Sequence, residues 1–397
     1  MIKIGFIGLG NRGIWLLKTA VVERENVSVV SVCDAYEDRA QDGAKAVLEA
    51  TGKEPVWETD YRKVIDNPDV EAVIIATSWE THIEIAIYAM KAGKAVALEV
   101  GGTNKLEECW DLVDTYEATK TPFMLMENCC YGRREMMALN MVKQGLFGDI
   151  VHCAGGYHHD LRKEVSFGVE NRHYRLEKYK NHNAENYPTH ELGPIAKVLD
   201  INHGNRLVSL ISVASQSAGL HEYIVSNKSD DEELKNTTFK QGDIVTTVIN
   251  CENGQTITMT LDTTLPRFYS RGFTVRGTKG MYEEATDSVF LDCEEDIKHE
   301  LSWRKDRSGN AGEYEEKYDH PVWKRYLEEG VKGDHDGMDW LEFSIFFDCL
   351  ENGKPMPIDV YDAATWMAVT ALSEESIANG SVKVEFPDFT RGKWRER

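Results

Sequence analysis

The chain has 397 residues, with 67 Asp and Glu against 45 Lys and Arg and a formal net charge of −22. So acidic a surface repels nucleic acid and anionic membranes, which need basic patches, and no apolar run approaches the about 20 residues of a membrane span. A single core stops growing at roughly 250–300 residues, so two domains are expected. The N-terminus enters a strand pattern at once, and a cytoplasmic protein is expected.

Residues 1–127 alternate strand and helix signals. Ile2–Ile7 is an apolar strand, Arg12–Glu25 a helix, and Val27–Cys33 a continuous β-branched run, the mark of a strand buried on both faces. Ala40–Thr51, His82–Ala92 and Leu106–Thr119 read as helices, and Ala72–Ala76, Ala95–Leu98 and Pro122–Met126 as strands. Repeated βα units predict an α/β domain over 1–127 with a doubly wound parallel sheet, a Rossmann fold.

After Asn128 the texture changes. Arg133–Gln144 reads as a helix ended by Gly145. Strand-like stretches follow at Ile150–Tyr157, Leu207–Ser215, Ile244–Asn250, Thr256–Thr263, Phe273–Arg276 and Val289–Cys293. Turns such as Glu252-Asn253-Gly254 imply antiparallel pairing. Helices are expected at Gly337–Leu350 and Val360–Ala378. Residues 128–397 thus predict an α+β domain with an open, mainly antiparallel sheet. The polar stretches 221–241 and 304–320 read as exposed loops. The eight cysteines form no C-x-x-C pair. His152, His158 and His159 lie close together, but no carboxylate or cysteine pattern supports a metal, and none is expected.

The loop Gly8-Leu9-Gly10-Asn11-Arg12-Gly13 carries the clearest chemistry. It follows a strand and opens a helix, the context in which G-x-G-x-x-G binds a dinucleotide. Gly8 permits the tight turn, Gly10 lets the backbone approach a pyrophosphate, and Gly13 lets helix and strand pack closely. The free N–H groups at the helix N-terminus attract phosphate. Asp34, at the end of the second strand, can accept hydrogen bonds from the adenosine ribose and would repel a 2′-phosphate. NAD is therefore expected rather than NADP. Arg12 is expected to lie on the adenine or reach a phosphate.

Further segments carry a resemblance along nearly the whole chain. They are Ser78-Trp79-Glu80-Thr81-His82, Leu98-Glu99-Val100, Met126-Glu127-Asn128-Cys129-Cys130-Tyr131 and Gly156-Tyr157-His158-His159-Asp160-Leu161-Arg162. Asn186-Tyr187-Pro188-Thr189-His190-Glu191, Pro266-Arg267-Phe268-Tyr269-Ser270-Arg271 and His335-Asp336-Gly337-Met338-Asp339 complete the set. With the glycine loop they resemble the Gfo/Idh/MocA oxidoreductases, and among these the NAD-dependent glycoside hydrolases of family 109, the α-N-acetylgalactosaminidases. Dehydrogenases of that superfamily carry Glu-Lys-Pro where this chain has Glu99-Val100-Gly101. A valine cannot move a proton, so the acid–base groups must come from elsewhere. The glycosidase-like members share the valine, whereas Gly101-Gly102 departs from their pattern.

The resemblance implies a route that needs no pair of carboxylates flanking the scissile bond. NAD would oxidise C3 of the sugar. The C2 proton would then leave with the C1 substituent, water would add at C1, and the C3 ketone would be reduced again. His190 is the candidate for the C3 hydroxyl proton, since histidine titrates near neutrality. Tyr157, alone or with His159 lowering its proton affinity, is the candidate for the C2 proton. Arg175, Tyr187 and Tyr269 would bind the sugar, with Arg172 and His173 close by as competitors for the arginine contact. Glu127 and Asn128 would lie at a strand end beneath the nicotinamide, Glu127 within reach of the sugar. Trp79, His82, Glu99 and Val100 would line the cofactor with Gly8, Gly10, Asn11, Arg12, Gly13 and Asp34.

Two other readings use the same residues. One is an NAD-dependent sugar dehydrogenase that releases a 3-keto product, and the other a non-catalytic sensor of NAD or sugar. The expected partners are a small carbohydrate or glycoside and a second copy of the chain docked through the C-terminal sheet, with neither nucleic acid nor membrane.

Overall fold

The computed structural model describes residues 1–293 and 308–397. These cluster into two compact units, Met1–Tyr131 with Tyr326–Thr365, and Gly132–Arg325 with Trp366–Arg397. Instead of the single expected boundary after residue 127, the segment Tyr326–Thr365 returns to the first unit. Arg24 helps to hold it there. Its guanidinium lies 4.0 Å from the Trp340 ring centroid and donates to the Trp340 carbonyl at 2.6 Å and to Ser344 Oγ at 3.0 Å.

The first unit contains a six-stranded sheet of β1 (Ile2–Ile7), β2 (Val27–Cys33), β3 (Val56–Glu58), β4 (Ala72–Ile75), β5 (Ala95–Glu99) and β6 (Phe123–Met126). The order is β3-β2-β1-β4-β5-β6 and every pair is parallel. All residues of β4 (Ala-Val-Ile-Ile) and β6 (Phe-Met-Leu-Met) are buried, as strands covered on both faces must be. The strand order reverses between β1 and β4, the switch point at which such sheets bind ligands beyond their strand ends. The helix expected over Arg12–Glu25 is shorter. It runs from Asn11 to Leu16 and widens into a π-turn over Leu17–Val21, where Arg24 Nε donates to the Ala20 carbonyl. The three residues of β3 were not predicted, since they form an edge with Val56 and Trp57 exposed.

The second unit holds an eight-stranded sheet of β7 (Ile150–His158), β8 (Leu207–Ala214), β9 (Ile244–Cys251), β10 (Thr256–Asp262), β11 (Thr274–Gly277), β12 (Gly280–Glu283), β13 (Ser288–Leu291) and β14 (Val384–Glu385). The order is β13-β12-β11-β7-β10-β9-β8-β14, antiparallel except for the parallel pair β7 and β10. Gly254, at φ +90°, closes the expected hairpin between β9 and β10. Inward Val245, Thr247, Ile249 and Cys251 alternate with outward residues along β9.

The expected loop over 221–241 is in part helical, at Gly219–Asn227 and Glu232–Lys235. Only Leu220, Ile224 and Leu234 anchor these helices, too few apolar positions to stand out among charges, and Asp231 caps the second through the Leu234 N–H. Of the expected loop 304–320, residues 304–307 lie outside the described residues. The rest forms a 3-10 turn at Asn310–Tyr314 and a short helix at Glu315–Tyr318. Among the described residues no helix is long and apolar enough to cross a membrane.

Candidate active site

In the first unit the glycine loop is shaped by close approach. Gly8 sits at φ +97°, and a Cβ there would lie 2.5 Å from the Ala76 carbonyl. A Cβ on Gly13 would lie 1.9 Å from the Gly8 carbonyl oxygen, so the turn and the helix touch backbone to backbone. Gly10 differs. At φ −63° it needs no special conformation, and its missing Cβ would meet only Arg39 Nη1, at 3.6 Å. That open face above the helix N-terminus fits a dinucleotide's pyrophosphate. Asp34 closes the loop from the β2 end, accepting from the Leu9 N–H at 2.7 Å and the Tyr36 N–H at 2.9 Å.

Arg12 does not reach outward as expected. Its Nε donates to Glu99 at 2.9 Å, and Nη1 and Nη2 form a fork on Asp339 at 2.8 and 2.9 Å. Its backbone N–H thus remains the part suited to phosphate. Asp339 also accepts from Asn128 Nδ2 and pairs with His335 Nδ1, each at 2.8 Å. This carboxylate therefore ties the glycine-loop helix to the ends of β5 and β6. Burial works against its charge, but the His335 and Arg12 contacts hold its carboxyl well below the usual carboxylate range. His335 and Asp339, which carry no role in the sequence reading, are the brace of this site.

The remaining first-unit residues line the same strand ends. Glu99 accepts from the Val100 N–H at 2.9 Å, and the fully buried Glu127 accepts from the Cys129 N–H at 3.0 Å. His82 Nε2 lies 3.1 Å from the Thr77 carbonyl, fixing the start of the helix Trp79–Lys91. Trp79 explains the departure at Gly101, where a Cβ would lie 2.5 Å from the indole Cδ1.

In the second unit an aromatic and imidazole cluster forms around Tyr157 at the end of β7. The Tyr187 ring lies 4.3 Å away, His190 5.6 Å, His159 5.7 Å and Tyr269 6.5 Å between centroids. Glycines allow the assembly. A Cβ on Gly155 would come within 2.8 Å of Glu191 Cβ, so its absence lets the helix Thr189–Val198, with His190 in its first turn, lie against β7. Tyr187 Oη is 3.4 Å from His190 Nε2, and Tyr157 Oη is 3.0 Å from His159 Nδ1.

Charge in this cluster differs from expectation. Burial first, and then the Arg175 charge, lower the His159 proton affinity below its ordinary value. At neutral pH His159 is an uncharged imidazole that can accept the Tyr157 proton, and it supplies no positive charge. Arg175 supplies that charge. It is buried, lies 5.4 Å from the Tyr187 ring centroid and is held by Glu164, which sequence reasoning missed. Nothing in the spacing of Glu164 and Arg175, a loop apart, announces the pair. Arg172 is exposed, His173 Nδ1 accepts the Arg175 backbone N–H at 3.3 Å, and the Arg175 guanidinium itself lies against the Tyr187 ring.

A parallel sheet with a phosphate-shaped glycine loop in one unit, and an arginine, tyrosine and histidine cluster in the other, define an NAD-dependent enzyme of the oxidoreductase fold. The comparisons agree. Residues 2–126 match the oxidoreductase family with an NAD-binding Rossmann fold, and residues 131–396 match the C-terminal domain of glycosyl hydrolase 109. The chain belongs to glycosyl hydrolase family 109. It is 40% identical to a family 109 protein of Parabacteroides distasonis, over all of this chain and 88% of that one. It is 38% identical, over all of this chain and 88% of the other, to an α-N-acetylgalactosaminidase of Tannerella forsythia. Among solved structures, levoglucosan dehydrogenase in complex with NADH and levoglucosan shares the fold, with a TM-score of 0.71, 20% identity and coverage of 97% of this chain and 99% of that one.

Proposed function

We propose that this protein hydrolyses α-linked N-acetylgalactosaminides by a cycle that begins and ends with oxidised, tightly held cofactor. The observation that carries the reading is the Tyr157, His159, Tyr187, His190 and Tyr269 cluster around a buried arginine. The full-length relative named as an α-N-acetylgalactosaminidase supports the choice of sugar. The glycine loop, Asp34 and the strand ends bearing Glu99, Val100, Glu127 and Asn128 hold NAD, with Trp79 and His82 beside them. When bound, NAD supplies the acceptor for the C3 hydride and the donor that returns it.

The protein's own groups move the protons. His190 takes the proton of the C3 hydroxyl, while Tyr187, 3.4 Å from its Nε2, orients the ring. The resulting ketone acidifies C2. Tyr157 removes the C2 proton with neutral His159 as its hydrogen-bond acceptor, and the C1–O bond breaks as the C1–C2 double bond forms. Water then adds at C1, C2 regains a proton, and His190 returns its proton as C3 is reduced. Arg175 and Tyr269 hold the ring through its hydroxyl and acetamido oxygens, and Glu127 contacts the sugar.

The test incubates the protein with p-nitrophenyl α-N-acetylgalactosaminide and follows nitrophenol and the NADH absorbance together. Nitrophenol release without net NADH is expected. NADH without nitrophenol would make the protein a sugar dehydrogenase, and silence with every sugar a sensor. His190→Ala is expected to cut turnover by about 10²–10⁴-fold while NAD stays bound.

Two further parts of the reading concern setting. A reducing, cytoplasmic compartment suits eight cysteines that are all free thiols, seven of them buried. A second copy of the chain docks on the outward face of the eight-stranded sheet, where Ile211, Val213 and Val248 are exposed.

A further inference from the structure

The helix Met338–Asn352 carries a second carboxyl one turn beyond Asp339. Glu342 is 0% exposed, and among the described residues neither of its side-chain oxygens has a hydrogen-bond partner. The titratable groups that act on it come from several elements of the first unit. They are Asp339 on its own helix, Glu99 at the end of β5, Glu127 at the end of β6, Tyr131 just beyond, and Arg12 on the glycine-loop helix. Three carboxyls and one guanidinium thus act on Glu342, and Asp339 and Glu99 already engage that guanidinium. Burial, and then the charges of Asp339, Glu99 and Glu127, push the Glu342 carboxyl far above the usual carboxylate range, against a smaller opposing pull from Arg12. Burial and these neighbours thus favour the neutral acid at Glu342, beside an Asp339 held ionised by the same network.

A buried acid without a partner is disfavoured in either protonation state unless something completes its surroundings. The elements that carry the cluster are the glycine loop and the ends of β5 and β6, the edge at which a parallel sheet of this order binds its ligand. The cofactor that the unit binds has a ring with one positive charge when oxidised and none when reduced. An acidic, water-poor cluster with one proton to give can answer that change. We propose that Glu342 is the charge-compensating group of the cofactor site, protonated in the cofactor-free protein and with NADH, and ionised when NAD⁺ binds. The balance is simple. The carboxylic acid loses its proton to solvent as the cation arrives, and regains one from solvent when the ring becomes neutral.

The sign of the pH effect follows. Binding that releases one proton strengthens by about tenfold per pH unit, so NAD⁺ affinity rises with pH while NADH affinity stays flat. Calorimetric titration of the cofactor-free protein at neutral pH, in buffers of different ionisation enthalpy, counts the protons. About one proton is expected to leave with NAD⁺ and none with NADH. Glu342→Gln, which keeps size and neutrality, is expected to abolish the release while NADH still binds. Equal proton counts for the two cofactors, or undiminished release from Glu342→Gln, would overturn the proposal. Should that variant fail to fold, difference infrared spectra of the holoenzyme decide. A protonated-carboxyl band that shifts with glutamate-specific isotope labelling is expected with NADH and not with NAD⁺, and its presence in both states, or in neither, would refute the assignment.

Discussion

Burial, rather than residue type, sets the charges of single side chains in this protein. His159 is held neutral, and so can take a proton from Tyr157. Glu185 lies in the second unit on the segment that leads into Tyr187 and His190. It is fully buried, with Oε1 3.5 Å from the Tyr187 N–H and Oε2 without a hydrogen-bond partner among the described residues. Burial pushes its carboxyl up to about 8, against a smaller pull from the Tyr187 N–H. An unfolded chain gives up that proton near the ordinary glutamate value of about 4.3. Between these values the folded state binds more protons than the unfolded state, so the contribution of Glu185 to stability falls as pH rises from about 4.3 to about 8. Glu185→Gln removes the ionisation and keeps the shape. Thermal melts from pH 5 to pH 8 are expected to show the variant gaining on the wild type as pH rises. Parallel melting curves across that range would show that Glu185 is ionised or solvated in the folded protein.

Elements are positioned here by what their backbones touch, and the glycine loop shows it best. Gly13→Ala would set a methyl 1.9 Å from the Gly8 carbonyl oxygen, a contact that neither backbone can relieve without moving the helix off β1. Gly10→Ala meets nothing nearer than 3.6 Å. The first substitution is expected to lower the melting temperature and abolish NAD binding. The second is expected to leave the melt unchanged and weaken NAD binding alone, because its methyl occupies the space the pyrophosphate needs. Equal destabilisation by both would mean that Gly10 is a packing glycine. This loop was legible in the sequence because all its determinants are local: a strand, a spacing, a helix start and Asp34 one strand later. The aromatic cluster was legible only through resemblance, since Tyr157 stands at the end of β7 and Tyr269 in the connection between β10 and β11, far apart in the chain. Arg12 was misread because its partner Asp339 stands 327 positions away, and no local pattern announces a fork between them. The same distance hid the return of Tyr326–Thr365 to the first unit. The helices inside 221–241 escaped for the opposite reason, having too little apolar surface for periodicity to show.

At the scale of the whole molecule, a net charge of −22 should keep copies of this chain apart, but the outer face of the large sheet carries exposed side chains without charge. Ile211 on β8 stands directly opposite Val248 on β9, and Val248 opposite Thr258 on β10. With Val213, which is 54% exposed, and Thr246 they make an uncharged patch across three adjacent strands. A flat, uncharged sheet face left to water costs apolar exposure, about 25 cal/mol for each Å² that a partner could cover. A two-fold dimer would cover the patch with itself. Val248→Asp puts a charge at the centre of the patch, on the outward side of β9, where the inward core of Val245, Thr247 and Ile249 is untouched. Sedimentation of the wild type is expected to show a dimer, and of Val248→Asp a monomer with the same circular dichroism and the same bound NAD. A wild-type monomer, or a variant that stays dimeric, would remove the sheet face from the assembly. A variant that dissociates yet keeps full glycosidase activity would show that each chain carries its complete set of catalytic groups.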